Sequence, residues 1–308
     1  MESMTKIIRF IEKRNNVFTA LEQLAKTRGF LRVESDYFED MIPYVTKNTR
    51  QNPDQLVKVQ DQTGRVQLLR PDITTNLIKQ VIPNLQAGEE LDLYYLESIF
   101  SFGENGQIER TRQFGVEVIG KSNLEVDLNL IQLVDAMFER FDLSIIIEIG
   151  NQRWIERLIA NLQLTTSQER VLKEAIIAKD SVAIDQSLPG SPYKDLLLDV
   201  LATEGDLKRY VATIERDNLD CELLVELNRM QTMKQQIGNG HILFDLSLIN
   251  PFDYYNGPIF KGYIDGYETD IVRGGRYDTL TEEYGQLTPA LGFSLDVDRL
   301  VDEVVRRG

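Results

Sequence analysis

The sequence is poor in the residues from which metal and redox sites are usually built. Its 308 residues include one cysteine, Cys221, and one histidine, His241. A single cysteine excludes an internal disulfide and a cysteine-rich metal site, and it fits a reducing compartment. A single histidine excludes a histidine cage for a metal ion and a catalytic pair of histidines. We therefore expect no metal, a structural role for His241, and a buried, unreactive thiol at Cys221.

Runs of basic residues and long apolar runs are missing too. The formal net charge of -15 argues against binding to nucleic acid, which requires a basic face. No apolar run approaches the roughly 20 residues of a membrane-spanning helix, and Met1 to Phe10 lacks the apolar core of a signal peptide. We expect a cytoplasmic protein with no nucleic-acid partner and no membrane partner.

Motifs of the common nucleotide and hydrolase sites are also absent. The chain has no GxxxxGK(S/T) loop, no GxGxxG turn between a strand and a helix, and no GxSxG elbow. No acidic pair precedes a threonine- and glycine-rich loop of the kind that holds a phosphoribosyl group. We expect no bound cofactor.

Two kinds of pattern divide the chain. Strand and helix patterns alternate over residues 1–150 and again over 241–308, whereas residues 151–240 keep helical spacing throughout. The length of 308 residues exceeds what one hydrophobic core usually supports. We therefore expect a discontinuous core, residues 1–150 and 241–308, with a helical insertion at 151–240. The predicted fold class is α+β, with a mixed, largely antiparallel sheet flanked by helices.

Local signals place several elements. Apolar residues at three- and four-residue spacing predict a long N-terminal helix that Gly29 caps. Asp61 to Gly64 is a hairpin turn between two short strands, and Pro71 is predicted to start a helix. The predicted elements are helices Thr5 to Arg28 and Leu124 to Phe141, and strands Lys58 to Gln60, Val66 to Leu69, Leu91 to Ile99, Thr111 to Ile119 and Leu143 to Ile149.

Turn glycines, tyrosines and charges are densest between Asn250 and Leu300. Asp265 and Gly266 predict a turn between strands at Ile259 to Ile264 and Thr269 to Val272. Gly274 and Gly275 are predicted to end the second strand. Adjacent glycines beside an arginine and an acid are typical of a pocket floor, but an ordinary hairpin explains the same pattern.

Two polar features suggest a binding site without requiring one. Gln113 and Glu117 lie four residues apart on a predicted strand, so their side chains share a face. That face suggests recognition of an amine or an imidazole, or else a solvated strand. Tyr254 and Tyr255 are predicted to open a strand and to point to opposite faces, so at most one would line a pocket, and core packing is the alternative.

Five segments, in order, resemble the catalytic core of histidyl-tRNA synthetases. Their spacing agrees over nearly the whole chain, and so does the helical insertion between the third and fourth. The resemblance implies a class II aminoacyl-tRNA synthetase-like core. The segments are Arg70 to Thr74, Tyr95 to Phe100, Gln113 to Gly120, Phe252 to Phe260, and Gly274 to Arg299.

The resemblance fails where the synthetases bind ATP. An arginine and a glutamate that grip ATP are replaced by Ser101 and Gly103, and an arginine that promotes adenylate formation is replaced by Asn250. Losing such a charged contact typically costs a factor of about 100 or more in rate. Arg299, the arginine of the last segment, survives, whereas Asp36 replaces a proline of the dimer-forming motif. The comparison implies that aminoacylation is lost.

The positions that hold the amino acid in the synthetases are retained. The resemblance implies that Asp72, in place of a glutamate, holds an α-ammonium group and that Glu117 accepts a hydrogen bond from an imidazole N–H. Both contacts would be charge-assisted. The histidine-binding residues that the resemblance implies are Asp72, Thr74, Gln113, Glu117, Tyr254 and Tyr255.

A histidine site without an ATP site resembles the regulatory subunits of ATP phosphoribosyltransferase, the glycosyltransferase of the first step of histidine biosynthesis. The resemblance implies a non-catalytic, allosteric subunit with histidine as effector and the short-form catalytic subunit as partner. It also implies a homodimer within a hetero-oligomer. A truncated histidyl-tRNA synthetase-like, amino-acid-activating enzyme is the alternative, and a binding module for RNA or protein is a third hypothesis.

Overall fold

The computed structural model describes residues 2–47, 52–203, 205–237, 241–250, 254–267 and 269–307. Pro251, Phe252 and Asp253, in the fourth synthetase-like segment, lie outside the described residues. The helices are α1 (Glu2–Thr27), α2 (Met41–Lys47), α3 (Thr74–Val81), α4 (Leu124–Glu139), α5 (Gln152–Asn161), α6 (Thr166–Ile177), α7 (Ser181–Ser187), α8 (Lys194–Ala202), α9 (Leu207–Arg216), α10 (Glu222–Ile237), α11 (Asp278–Glu282) and α12 (Val297–Arg307).

The strands are mostly short, apart from two long neighbours in the middle of the first half. They are β1 (Leu31–Arg32), β2 (Phe38–Asp40), β3 (Lys58–Gln60), β4 (Val66–Leu69), β5 (Leu91–Phe102), β6 (Ile108–Ile119), β7 (Ile145–Asn151), β8 (Ile242–Phe244), β9 (Pro258–Ile264), β10 (Val272–Arg276) and β11 (Ala290–Asp296). None of the described helices combines the length and the hydropathy that crossing a bilayer requires.

The chain forms two compact units. Unit one comprises Met1–Ser144, Pro251–Tyr254 and Tyr263–Gly308, and unit two comprises Ile145–Asn250 and Tyr255–Gly262. In unit one the strands follow the order β1-β5-β6-β11-β10. β1 pairs with β5 in parallel, and the other neighbours pair antiparallel. The predicted mixed, largely antiparallel sheet is confirmed.

Alternation along β6 gives this sheet two different faces. On one face Arg112 lies over the ring of Phe18 in α1, with its Cζ atom 4.8 Å from the ring centroid. Glu117 points to the opposite face because it lies an odd number of residues from Arg112. Helix α3 covers this second face, where its Leu77 packs in a cluster with Tyr95 of β5.

Unit one also contains a small antiparallel sheet in the order β2-β4-β3. Its β3–β4 hairpin has the bounds that the sequence predicts. One face is buried in a cluster that joins the sheet to the neighbouring helix α2 and to the turn that follows it. The members of that cluster are Tyr44, Leu56 and Leu68.

Arg70 ties the end of β4 to the large sheet. Its guanidinium is buried and donates to the Glu97 carboxylate at 2.7 Å and to the Ser98 carbonyl oxygen at 2.7 and 3.0 Å. It also donates to the Ser35 hydroxyl at 2.7 Å. Removing Arg70 would leave Glu97 without its ion-pair partner, which is strongly destabilising. We therefore assign Arg70 a structural role.

Unit two contains the helices α5 to α10 between the strands β7 and β8. β7 pairs with β8 in parallel, and β9, most of which belongs to this unit, is the other neighbour of β7. The predicted insertion, residues 151–240, falls inside unit two, which also includes both of those strands. Cys221 is exposed rather than buried, because Leu223 and Leu227 occupy the buried side of α10.

The prediction that two glycines end the second strand of the C-terminal hairpin is wrong. Strand β10 contains Gly274 and Gly275, and it begins at Val272 rather than Thr269. Gly275 pairs with Gly292 of β11. A glycine in a strand still makes its ladder hydrogen bonds, and the pairing with β11 supplies them here.

Two further local predictions are wrong. Tyr254 and Tyr255 do not open a strand, since β9 begins at Pro258 and Pro258 has no N–H to extend the ladder towards them. Pro71 does not start the helix that follows it, because α3 begins at Thr74.

Candidate functional site

The candidate site in unit one is built around Glu117, an acid in the middle of the sheet. Its side chain lies on β6 and the residue is 1% exposed. Its Oε1 atom accepts a hydrogen bond of 2.7 Å from the Thr74 hydroxyl, and its Oε2 atom accepts a short one from the Tyr277 hydroxyl. Within the described part of the chain, these two hydroxyl groups are its hydrogen-bond partners and no basic side chain pairs with it.

The start of α3 supplies one wall of the site. Asp72 lies just before the helix, and its Oδ2 atom accepts a hydrogen bond of 2.8 Å from the Thr75 N–H. This contact satisfies one of the free N–H groups at the helix start. Thr74, the first residue of α3, is thereby held over the sheet with its hydroxyl directed at Glu117.

Tyrosines supply the opposite wall. Tyr277 follows β10 directly, is buried, and carries the hydroxyl that reaches Glu117. The ring of Tyr254 packs edge-on against that of Tyr277, with 6.0 Å between the centroids and 77° between the planes. The Tyr254 carbonyl accepts a hydrogen bond of 3.2 Å from the Thr279 hydroxyl in α11. The contacts with Tyr254 and Glu117 fix the orientation of the Tyr277 side chain.

Two glycines in neighbouring strands make room for the buried polar groups. A Cβ atom at Gly292 would lie 1.8 Å from the Oε2 atom of Glu117 and 2.4 Å from the Val116 carbonyl oxygen. A Cβ atom at Gly115 would lie 2.3 Å from the Tyr95 hydroxyl oxygen. All three distances are too short for atoms that are not bonded. Glycine is therefore required at both positions for the Glu117 carboxyl and the Tyr95 hydroxyl to lie where they do.

The site contains two neighbouring acids, Glu117 and Asp72, whose pKa values are both raised. Burial raises the pKa of Glu117 from its ordinary value near 4.5 to about 8; the nearby Asp72 adds to this shift and the two hydroxyl donors oppose it. Burial, with a contribution from Glu39, also raises the pKa of Asp72. A group that ionises in this site needs a positive partner, and an organic cation would be that partner.

The two remaining predicted binding residues are Gln113 and Tyr255. Gln113 lies on the same face of β6 as Glu117, is half-buried, and is paired across the ladder with Asp296. Its side chain makes no hydrogen bond to a described residue. Tyr255 belongs to unit two and is half-buried there.

The three positions that the resemblance compares with the ATP site of the synthetases carry no positive charge. Ser101 is half-buried in β5, opposite Glu109 of β6. Beside Gly103, the carboxylate of Glu109 fills the space that a side chain would take, 2.1 Å from an ideal Cβ atom. Asn250 is buried in unit two, where its N–H donates to Gln152 Oε1 at 3.3 Å.

The arginines of the recognised segments are committed elsewhere in unit one. Arg276 is buried and forms an ion pair of 2.8 Å with Asp127. Arg299 pairs with Asp296 at 3.4 Å and donates to the Thr269 hydroxyl at 2.9 Å. Arg70 likewise pairs with Glu97. The three arginines therefore form their ion pairs with acids other than Asp72 and Glu117.

Two residues that define the pocket, Tyr277 and Gly292, are not among the predicted binding residues, although both lie in the recognised segment Gly274 to Arg299. Gly292 has a local signal, because a glycine inside a strand pattern often marks a close approach by another group. The resemblance makes the turn from Gly274 to Asp278 a wall of the site, but it does not indicate that Tyr277 bonds to a residue 160 positions away.

Comparison with known families identifies the family of this chain. The sequence model of the family described as histidyl-tRNA synthetase matches residues 9–300. This chain belongs to the histidyl-tRNA synthetase family. Membership accounts for the order of the five recognised segments, and it confirms the class II synthetase-like fold that the sequence predicts.

Relatives within the family carry two different names. An ATP phosphoribosyltransferase regulatory subunit from Oceanobacillus iheyensis is 30% identical over 301 residues, which cover 94% of this chain and 73% of the relative. A histidine–tRNA ligase from Sulfurisphaera tokodaii is 28% identical over 299 residues, 92% of this chain and 69% of the relative. The first name agrees with the regulatory-subunit resemblance predicted from the sequence.

A solved structure supports the same architecture. A chain from Bacillus halodurans, described as an ATP phosphoribosyltransferase regulatory subunit/histidyl-tRNA synthetase, superposes with a TM-score of 0.82. The two are 24% identical, and the match covers 96% of this chain and 79% of the other. At this identity the likeness establishes the shared fold.

Proposed function

We propose that this chain is a non-catalytic regulatory subunit of ATP phosphoribosyltransferase that binds histidine. The observation that carries the proposal is Glu117, a buried acid with hydroxyl donors and no basic partner among the described residues. A family member that keeps such a pocket, and has no cation at Ser101 or Gly103, is suited to sense an amino acid rather than to activate it.

Histidine fits the charge pattern of the pocket. An imidazole N–H donates to Glu117, and the α-ammonium group pairs with Asp72, which lies close enough to raise the pKa of Glu117. Both are charge-assisted hydrogen bonds in a site of low water content, where they are stronger than at the surface. Thr74 and Tyr277 hold the Glu117 carboxyl in place, and Gln113 lies on the same face.

Activation of the amino acid is disfavoured at the positions where ATP would bind. Ser101 and Gly103 offer no charge to a triphosphate, and the Glu109 carboxylate beside them would repel it. Asn250 is neutral as well, and a missing transition-state cation typically costs a factor of about 100 or more. Aminoacylation would therefore be lost even with histidine bound.

The partner in this proposal is the short-form catalytic subunit, bound by a homodimer of this chain in a cytoplasmic hetero-oligomer. Regulation is then a coupling free energy: histidine favours one arrangement of the complex, and that arrangement has a different catalytic rate. The helical region at 151–240 is proposed to be an insertion in the synthetase-like core.

The proposal is tested by mixing the purified chain with the short catalytic subunit. We expect co-elution as one complex, a higher phosphoribosyltransferase rate than the catalytic subunit has alone, and inhibition by histidine. Absence of co-elution at micromolar concentrations would overturn the regulatory function.

The alternative, a histidine-activating enzyme, has support from the ligase name of one relative. ATP–pyrophosphate exchange with histidine separates the two functions on the same protein preparation. We expect no exchange above background, because no cation remains at Ser101, Gly103 or Asn250. Robust exchange would favour the enzyme.

A further inference from the structure

The first three turns of α1 carry apolar side chains that nothing in the described chain covers. Every residue of the segment 4–12, called the arm below, is exposed. Further along the same helix the side chains are buried against unit one, with Val17, Leu21 and Ala25 no more than 1% exposed. The arm therefore extends past the body of unit one, and no described residue buries its apolar side chains.

Four apolar side chains of the arm form one stripe, and Phe10, which is 38% exposed, lies outside it. Met4, Ile7, Ile8 and Ile11 are 62%, 50%, 48% and 39% exposed. Their spacing places them on one side of the helix, while Lys6 and Arg9 project from the opposite side. A stripe at positions i, i+3, i+4 and i+7 is the pattern by which one helix packs on another.

The stripe is symmetric along the chain. Its intervals of three, one and three residues are the same in either direction, so two identical arms can align antiparallel about a twofold axis between positions 7 and 8. Met4 then meets Ile11 of the other copy, and Ile7 meets Ile8. Such a contact is isologous, the type expected of a twofold dimer.

We propose that the arms of two copies of this chain pair antiparallel, stripe to stripe, across the twofold axis of a homodimer. This inference rests on the homodimer in the proposed function and deepens it. Lys6 and Arg9 stay in water on the outer sides of the pair, so no charge is buried. Most of the stripe precedes residue 9, where the match to the family model begins.

Paired arms are too small to form a whole interface. A stable interface usually buries about 1,600 Å² in total, and two short helices supply a part of that. Removing the contact should therefore weaken the dimer without abolishing it.

The first test measures dimerisation of the full chain by sedimentation equilibrium. The double variant Ile7→Asp, Ile8→Asp places carboxylates in the seam, and we expect the dimer dissociation constant to rise at least about 30-fold. The matched control, Ile177→Asp with Val182→Asp, changes two comparably exposed residues of unit two (63% and 64%) and should leave the constant within threefold, roughly the scatter of surface substitutions. Circular dichroism checks that both variants fold.

The outcomes separate this inference from the function on which it rests. A wild-type chain that is monomeric throughout would overturn the homodimer itself. A dimer that the double variant leaves unchanged would overturn the arm pairing alone, and binding to the catalytic subunit would stand.

The second test reads the direction of the pair. In a chain with Cys221→Ser, oxidation should cross-link a Met4→Cys protein to an Ile11→Cys protein more efficiently than it links either to itself. An antiparallel pair separates the two Met4 positions by about 10 Å along the axis, at ~1.5 Å per residue. Preferential self-linking would indicate parallel arms and overturn the geometry.

Salt distinguishes arm pairing from docking of the basic arm on an acidic surface of the second copy. Screening relieves repulsion between two arms of like charge, so the wild-type dimer should be equally strong or stronger at 0.5 M salt, where the screening length is well below ~10 Å. A dimer that weakens steadily with salt would overturn the pairing in favour of the acidic surface.

Discussion

The two ends of the β5–β6 hairpin differ in how well they are suited to bind a ligand. Around Glu117 the acid, its hydroxyl donors and the glycine that makes room for it are all present. Near the turn, Ser101 and Gly103 carry no charge, and the Glu109 carboxylate fills the space beside Gly103.

The difference reflects how much of the fold depends on each region. Glu117 sits at the meeting point of β6, β11, α3 and the segment before α11, so a change there disturbs several elements at once. The turn end of the hairpin is exposed, and its side chains can change without a cost to the core.

The largest expected effect is on ligand binding at the buried acid. Glu117→Ala should weaken histidine binding at least about 30-fold, because truncating one member of a buried charged pair typically costs 2–5 kcal/mol. Titration calorimetry measures the affinity, and circular dichroism confirms the fold. Ser101→Ala, at the other end of the hairpin, is the matched control and should leave the affinity unchanged. If Glu117→Ala binds histidine normally, the effector site lies elsewhere, for example at the interface with the catalytic subunit.

Two glycine-to-alanine substitutions, one beside each end of the hairpin, test whether a new methyl group is tolerated. Gly292→Ala should displace the Glu117 carboxyl, abolish tight histidine binding and lower the free energy of unfolding by about 1–3 kcal/mol, because the new methyl group meets a backbone carbonyl as well as the acid. Gly103→Ala meets the exposed side chain of Glu109, which can move aside, so its effect should stay within about 0.5 kcal/mol. Urea unfolding measures both. Equal effects for the two variants would contradict the difference between the regions.

The last expected effect is on the pH dependence of stability, and the change expected per pH unit is small. The folded chain keeps the Glu117 proton up to about pH 8, whereas the unfolded chain releases it near 4.5. Between these values the unfolded state binds fewer protons, so this contribution to stability is present at low pH and is lost as the pH rises through about 8. Glu117→Gln does not titrate. Its stability relative to wild type should improve as the pH rises from 6 to about 8, by an amount on the order of 1.4 kcal/mol for each pH unit. A pH-independent difference between the two proteins would show that the carboxyl is not held in its neutral form.

Much of the fold could be predicted from local patterns. The β3–β4 hairpin, the long strands β5 and β6 and the helices α1 and α4 lie close to their predicted positions, because side-chain period and turn residues act over a few neighbours. Predictions were wrong where a distant partner decides the local structure. Gly274 and Gly275 remain in a strand because β11 pairs with them.

The candidate site could be predicted in part. Asp72, Thr74 and Glu117 were singled out by resemblance, and the structure brings them together. Tyr277 and Gly292 were missed because their role depends on contact with Glu117 across 160 and 175 positions of chain. Arg70 was recognised as part of a signature segment, yet only the contacts with Glu97 and Ser98 identify it as a structural residue.

The sequence by itself determined the family, the order of most strands and helices, and the absence of charge at Ser101, Gly103 and Asn250, since each of these depends on residue identity or on short-range spacing. The tertiary structure decided that Glu117 is an acid without a counter-charge in the described chain, that glycine at 292 makes room for it, and that the signature arginines are occupied elsewhere. These contacts depend on which distant segments of the chain pack together, and the spacing of residues along the sequence does not show this. The arm is the intermediate case. Its stripe is visible in the sequence, but only the fold leaves it uncovered.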